Sequence, residues 1–263
     1  MSEFLRKIQL VEYEILKELD RIAKKHNIKY YLGQGTLLGA VKYKKFIPWD
    51  DDIDLLVPYK ELVKLIRVFK KEADAKYKLT NCFIEKHFPV PWSKIRNTNT
   101  LSRPIRYKDL PINWGICIDL FPIYSVSNIA IVRKLEYLAY KVAAKMIMAE
   151  FTKYEKNHGP LVRLMEKIPI CIRHLFLKMV IGVLNLHGDN TNYVMVTCRG
   201  VKLVERDMLF SGENYVEFEE NMFPTVSDYE SYLTINYGDW RAELPPKEQR
   251  GHDFTLGDIE WKI

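Results

Sequence analysis

Four aspartates crowd into five residues, Asp50, Asp51, Asp52 and Asp54, just ahead of the apolar run Leu55-Leu56-Val57. If the chain is extended from Asp52 onward, side chains alternate and Asp52 and Asp54 share one face, about 7 Å apart. Two carboxylates so placed repel each other unless a cation sits between them. An all-oxygen donor set of this kind suits Mg²⁺ or Mn²⁺, which take a few carboxylates together with substrate phosphates. A short acidic run is also found as a solvated turn. Charges that lead into a buried strand, however, are costly unless paired or metal-bound. Asp52 and Asp54 are therefore the expected metal ligands, with Asp50 a third or outer ligand and Asp51 facing away.

Two further signals bear on the same chemistry. Gly33-Gln-Gly-Thr36, with Gly39 following, lies between an apolar strand pattern and a short helical one. Glycines let a backbone approach a ligand, and a helix start offers N–H groups to a phosphate, so Gly35 and Thr36 are expected at a donor phosphate. The same glycines invite a dinucleotide-fold reading. The stretch Lys42 to Pro48 cannot supply the helix, turn and second strand that such a fold needs before its acid. Asp119 stands between Ile118 and Leu120. A carboxylate inside an apolar strand is either a paired structural acid or a ligand, and beside the other two signals it reads as the third ligand and the general base. Lys94 and Arg96 alternate about Ile95, which places them either at a diphosphate or on a solvated strand edge.

The elements that must hold these residues are legible from periodicity. Ile8, Val11, Ile15, Leu19 and Ile22 put one apolar face on a helix over residues 3–25, with Ser2 as its cap and Asn27 at its end. Strands are expected over 28–32, from Asp52 to Val57, over 79–85, 93–96 and 193–198, and over 115–121 with Pro122 as the stop. A helix is expected over 59–73, and a capping box at Ser227–Glu230 opens another that stops at Gly238. Residues 128–186 change character, with Leu135, Leu138, Val142 and Met146 at helical spacing and a basic, apolar stretch over 161–186. This part reads as a helical insertion, either packed on the core, the preferred reading, or serving as an acceptor lid or a membrane-surface contact. The expected organisation is a catalytic core over 1–127, the insertion over 128–186, and a C-terminal part over 187–263 that completes the core.

Composition sets outer limits. The chain has 263 residues, 40 Lys+Arg against 34 Asp+Glu, and 48% apolar residues, a globular composition. The surplus of +6 is small for this length and does not call for nucleic acid as a partner. Four scattered cysteines without a C-x-x-C pair argue against a cysteine zinc site and fit a reducing compartment. No secretory signal is visible, and no apolar stretch reaches bilayer-spanning length. A cytoplasmic protein, at the inner face of the membrane if the insertion touches lipid, is expected.

The longer motifs resemble a known family. Gly35-Thr-Leu-Leu-Gly-Ala-Val41, Phe46-Ile-Pro-Trp-Asp-Asp-Asp-Ile-Asp54 and Ile118-Asp-Leu-Phe-Pro122 are similar to the signature of LicD-family proteins, and Tyr237-Gly-Asp-Trp240 and Leu244-Pro-Pro246 to its closing motif. The family falls in the nucleotidyltransferase-fold superfamily, whose pattern is a glycine turn, a D-x-D on the next strand and a third acid on a later one. Here Thr36 replaces the commoner Ser, and the gap from turn to D-x-D is longer than in many relatives. The resemblance implies an α/β (α+β) fold with a mixed sheet flanked by helices. It also implies transfer of phosphocholine, or a related phospho-substituent, from a CDP-choline-like donor to a hydroxyl of a surface glycan such as lipopolysaccharide or teichoic acid, or of its lipid-linked precursor. A choline head group would be held by aromatic faces. Trp49, Trp92, Trp114, Tyr124, Tyr237 and Trp240 are available, Trp49 and Tyr237 gaining from the matched motifs, with Asp239 beside them. The competing readings are a nucleotidyltransferase acting on a small molecule or protein, and a noncatalytic glycan-binding protein.

Overall fold

The computed structural model describes residues 2–102, 109–154, 159–198, 200–243, 245, 249 and 259–261. Helix α1 (Glu3–His26) is capped by Ser2, whose Oγ accepts the Leu5 N–H, and ends on Asn27 in the left-handed region at φ 49°. Strand β1 is only Tyr31–Leu32, followed at once by α2 (Gln34–Tyr43). Strand β2 (Asp54–Pro58) leads into α3 (Tyr59–Glu72), then β3 (Tyr77–Thr80), β4 (Ser93–Asn97), β5 (Thr100–Ser102) and β6 (Cys117–Val126). Helices α4 (Ala130–Met148), α5 (Pro160–Glu166) and α6 (Ile170–Asn185) come next. The chain returns through β7 (Tyr193–Val196), β8 (Lys202–Glu205), α7 (Arg206–Phe210), β9 (Asn214–Phe218), β10 (Asn221–Thr225), α8 (Tyr229–Tyr237) and β11 (Ile259–Trp261).

The main sheet is mixed. Its order is β3-β4-β6-β2-β1-β10-β9, with β7 and β8 continuing from the second half of β6. The pairs β2–β6 and β1–β10 are parallel and the others antiparallel. Segments after residue 187 thus add strands to both sides of the sheet begun by the first half of the chain. The main core joins Ile15, Leu16, Leu19 and Ile22 of α1 to Leu55, Leu56 and Val57 of β2 and to Ile118 and Leu120 of β6. A second cluster packs Tyr140, Ala143 and Ile147 of α4 and Leu177, Ile181 and Leu184 of α6 against Tyr124, Val126 and Met195. Through this cluster the inner faces of α4 and α6 pack on the sheet.

Several local expectations are corrected. Strand β6 runs through Pro122 instead of stopping there. Asp119 N–H donates to Ile53 O, just ahead of β2, so by alternation the donor Pro122 lacks lies on the other edge. That edge is broken there, because β4 pairing ends at Leu120 and β7 pairing begins at Ile123. Strand β3 stops at Thr80, because the Asn81 side chain turns the chain by accepting the Phe83 and Ile84 N–H groups. The cap of α8 is Asp228, not Ser227: Asp228 Oδ1 accepts the Ser231 N–H, while Ser227 Oγ bridges Gly212. Leu244, Pro246 and the polar tail beyond lie outside the described residues, apart from residue 249 and β11.

Candidate active site

Strand β2 opens on Asp54, and two hydrogen bonds lock its backbone to the glycine turn. Gly33 N–H donates to Asp54 O at 2.8 Å, and Asp54 N–H donates to Thr36 Oγ1 at 2.8 Å. The turn is therefore the first turn of α2 itself. Gln34, its first residue, has φ 43°, a left-handed conformation uncommon outside glycine. Gln34 is 2% exposed and its Nε2 donates to Tyr232 Oη on α8 at 2.6 Å. Thr36 is equally buried, with its oxygen already accepting from Asp54. It positions Asp54, and the side chain is walled off from solvent where a direct phosphate contact was expected.

Across the sheet, register brings the third acid in. Asp54 on β2 is opposite Asp119 on β6, and Asp119 is opposite Lys94 on β4. Lys94 Nζ lies 2.6 Å from Asp119 Oδ1. The three side chains form one row on one face. Burial, then Asp52, then Asp119 push the Asp54 carboxyl well above its usual range. Burial opposes the charge on Lys94, but Asp119 and Cys117 outweigh it and its pKa is raised.

Asp50, Asp51 and Asp52 lie in the loop before β2 and not on the strand, so the expectation that Asp52 and Asp54 alternate along one strand fails. Asp52 remains close enough to be the leading charge acting on both Asp54 and Glu12. Asp51 is buried. Asp50 lies against Gly35: a methyl group there would come within 2.5 Å of Asp50 Oδ2, so the glycine leaves room for the carboxylate at the start of α2.

Sequence reasoning missed two contributors. Glu12 of α1 is 3% exposed, its Oε2 has no hydrogen-bond partner among the described residues, and its carboxyl is raised well above normal by burial and then by Asp52. Gln9, one turn earlier, donates from Nε2 to Asp50 O at 2.9 Å. Both fall on the apolar face of α1, Glu12 four residues after Ile8 and three before Ile15. An acid inside an apolar stripe was the available signal. Gln34 carried no such sign.

Arg96 sits on an interior strand and is 5% exposed, which overturns the solvated-edge alternative. Its guanidinium lies between the rings of Phe88 and Trp114, 3.8 Å from Glu85. Of the aromatic candidates, Tyr124 is core, packed between the tilted rings of Tyr59 and Tyr140 five residues beyond Asp119. Trp92 packs on Phe121, and Trp240 is covered by Arg241. Trp49 meets Tyr43 edge-on at the far end of α2. There the segment after Tyr237 folds back, with Lys42 Nζ donating to Ala242 O and Tyr43 Oη to Glu243. Tyr237 is partly buried against the core, and Asp239 is exposed in the turn that follows.

The donor set Asp52, Asp54 and Asp119 is all oxygen, and like-charge crowding at Asp54 is what a bound dication relieves. Among the described residues, no three such groups are gathered tightly enough to cage an ion by themselves.

Comparison with known proteins points the same way. Residues 27–154, from β1 through α4, match the profile described as LicD/FKTN/FKRP, nucleotidyltransferase domain. Over 94% of its length the chain is 28% identical to the lipopolysaccharide cholinephosphotransferase LicD of Haemophilus influenzae, covering 95% of that protein. A shorter match, 38% identical over 56 residues, or 21% of each chain, is to an uncharacterized protein of Rickettsia prowazekii.

Proposed function

We propose that this chain, which belongs to the LicD family and carries that family's nucleotidyltransferase domain at residues 27–154, transfers phosphocholine from a CDP-choline-like donor to a hydroxyl of a cell-surface glycan. The observation that carries this reading is the lateral pairing of Asp54 with Asp119 beside the glycine turn, together with likeness over nearly the whole chain to a lipopolysaccharide cholinephosphotransferase. Asp54 and Asp119, with Asp52, would hold Mg²⁺ or Mn²⁺, which supplies charge neutralisation and orientation for the donor diphosphate. Lys94, now on Asp119, is placed to shift its ammonium to a phosphate oxygen as the donor enters. Asp119 then takes the proton from the acceptor hydroxyl. That oxygen bonds to the phosphorus bearing choline, the bond from this phosphorus to the bridging oxygen breaks, and CMP leaves. The start of α2, beside Asp50, would offer N–H groups to the donor phosphates. Trp49 and Tyr237, from the matched motifs, are the proposed faces for the trimethylammonium group, with Asp239 two residues after Tyr237. The proposed place of the reaction is the cytoplasm, and a lipid-linked acceptor would bring it to the inner face of the membrane.

The alternative, nucleotidyl transfer, uses the same residues and differs in the phosphorus attacked. Two preparations of CDP-choline, labelled in the choline methyls or in cytidine, separate the two. With Mg²⁺ and lipopolysaccharide or its lipid-linked precursor, the choline label should reach the glycan while the cytidine label remains in CMP. Cytidine label on the acceptor would establish nucleotidyl transfer instead.

A further inference from the structure

The outer faces of α4 and α6 are apolar where a water-facing helix is polar. On α4, Ile131, Leu135, Leu138 and Val142 recur at four, three and four residues, and all are exposed, Ile131 and Leu135 by 65% and 60%. On α6, Ile172, Leu175, Met179 and Val183 recur at three, four and four residues and are also exposed, and Leu186 just beyond is 84% exposed. The two stripes are joined. Leu135 and Ala139 face Met179 and Val183 across a shallow groove of about 320 Å³. Helix α5 adds Leu161 and Leu164. Exposed apolar surface this continuous marks an interaction face.

Charge indicates the partner. Residues 129–186 hold ten Lys and Arg against four Glu, which is the chain's entire surplus of +6; the rest of the chain is neutral. Two of the four acids are buried and paired, Glu136 with His187 and Glu150 with Arg173. Lys134 and Lys145 of α4, Lys167 and Lys178 stand exposed around the stripes. Among the described residues, no single helix is long and apolar enough to cross a bilayer, and α5 and α6 meet at 105°. Apolar stripes flanked by lysines are the pattern of helices lying in a lipid interface, their cations on anionic head groups.

We infer that the outer face of α4 and α6 docks the protein on the surface of an anionic lipid bilayer. This holds whatever the donor and acceptor are. Flotation with vesicles of phosphatidylcholine, alone or mixed with phosphatidylglycerol, tests it. The wild type should float with the mixed vesicles and only weakly with the neutral ones. Leu135→Glu/Met179→Glu should cut flotation by about tenfold or more, and Lys134→Glu/Lys145→Glu should remove the preference for phosphatidylglycerol. Light scattering and circular dichroism on each variant should show an unchanged monomer fold. Failure of the wild type to float, or equal flotation of the variants, overturns the inference. So does a wild-type dimer that Leu135→Glu/Met179→Glu converts to monomer, which would make the face a contact between two copies.

Discussion

Asp54 and Asp119 are lateral neighbours across the parallel pair β2–β6, 65 residues apart in sequence and in register in the sheet. Asp119 is shared: on its other side, Lys94 of β4 makes the ion pair at 2.6 Å. In the metal-free protein, one ammonium therefore compensates two adjacent carboxylates, with Asp52 close by. The row holds more acids than bases, an excess of negative charge that a bound dication would offset.

Removing that ammonium exposes the balance. Lys94→Met should destabilise the metal-free protein by about 1–2 kcal/mol, a modest figure because the pair is partly solvated, and Mg²⁺ should restore more of the melting temperature than it adds to wild type. Thermal melts with and without millimolar Mg²⁺ check this. An equal Mg²⁺ shift in both proteins would contradict it.

Thr36 holds Asp54 through one hydrogen bond. Thr36→Val is nearly isosteric but leaves the Asp54 N–H without an acceptor, at a cost of about 1–3 kcal/mol. Thr36→Ser keeps the acceptor and should be close to wild type in both stability and turnover. Urea denaturation of the two variants decides it: a loss in Thr36→Val with Thr36→Ser near wild type supports the hydroxyl as the group that holds Asp54, and equal losses in the two variants would contradict it.

Two glycines of α2 should respond differently to the same substitution. Gly39→Ala would set a methyl 2.6 Å from Lys45 O, a backbone atom, whereas Gly35→Ala meets only the Asp50 carboxylate. Gly39→Ala should lower stability by about 1–3 kcal/mol. Gly35→Ala should melt near wild type and lose transferase activity as Asp50 is displaced. Melting curves and turnover of both variants test the split.

Glu12 gives a pH dependence with a definite sign. Its carboxyl is raised, mainly by burial and next by Asp52, so the folded chain holds that proton more tightly than the unfolded one. The stability it contributes is complete below the unfolded value of about 4.3 and is lost as pH rises through the raised folded value. The metal-free melting temperature of Glu12→Gln should therefore gain on wild type as pH rises from about 4 to 7. A constant difference across that span would contradict the assignment.

The parts of this site that follow from local pattern were legible in the sequence. The acid run, the glycine turn and Asp119 in its apolar strand each carry their own signal, and the capped helix at residues 3–26 follows from Ser2, its apolar spacing and Asn27. What register and tertiary contact decide was not legible. The Lys94–Asp119 ion pair depends on β4 lying beside β6, a neighbour relation no spacing announces. Pro122 was read as a stop because the gap between β4 and β7 on one edge of β6 cannot be seen in one dimension. On α4, the periodic residues Leu135, Leu138 and Val142 mark the outward face, while Tyr140, Ala143 and Ile147 make the inward one. Periodicity identifies a face but not the direction in which it points.

The paired carboxylates are tested most directly by the rate at which choline label moves from CDP-choline to acceptor glycan in Asp54→Asn and Asp119→Asn, each shown by its melting curve to be folded. Loss of several kcal/mol of transition-state stabilisation predicts a fall of about a thousandfold or more in both. Rates within about tenfold of wild type in either variant would show that the reaction centre lies elsewhere.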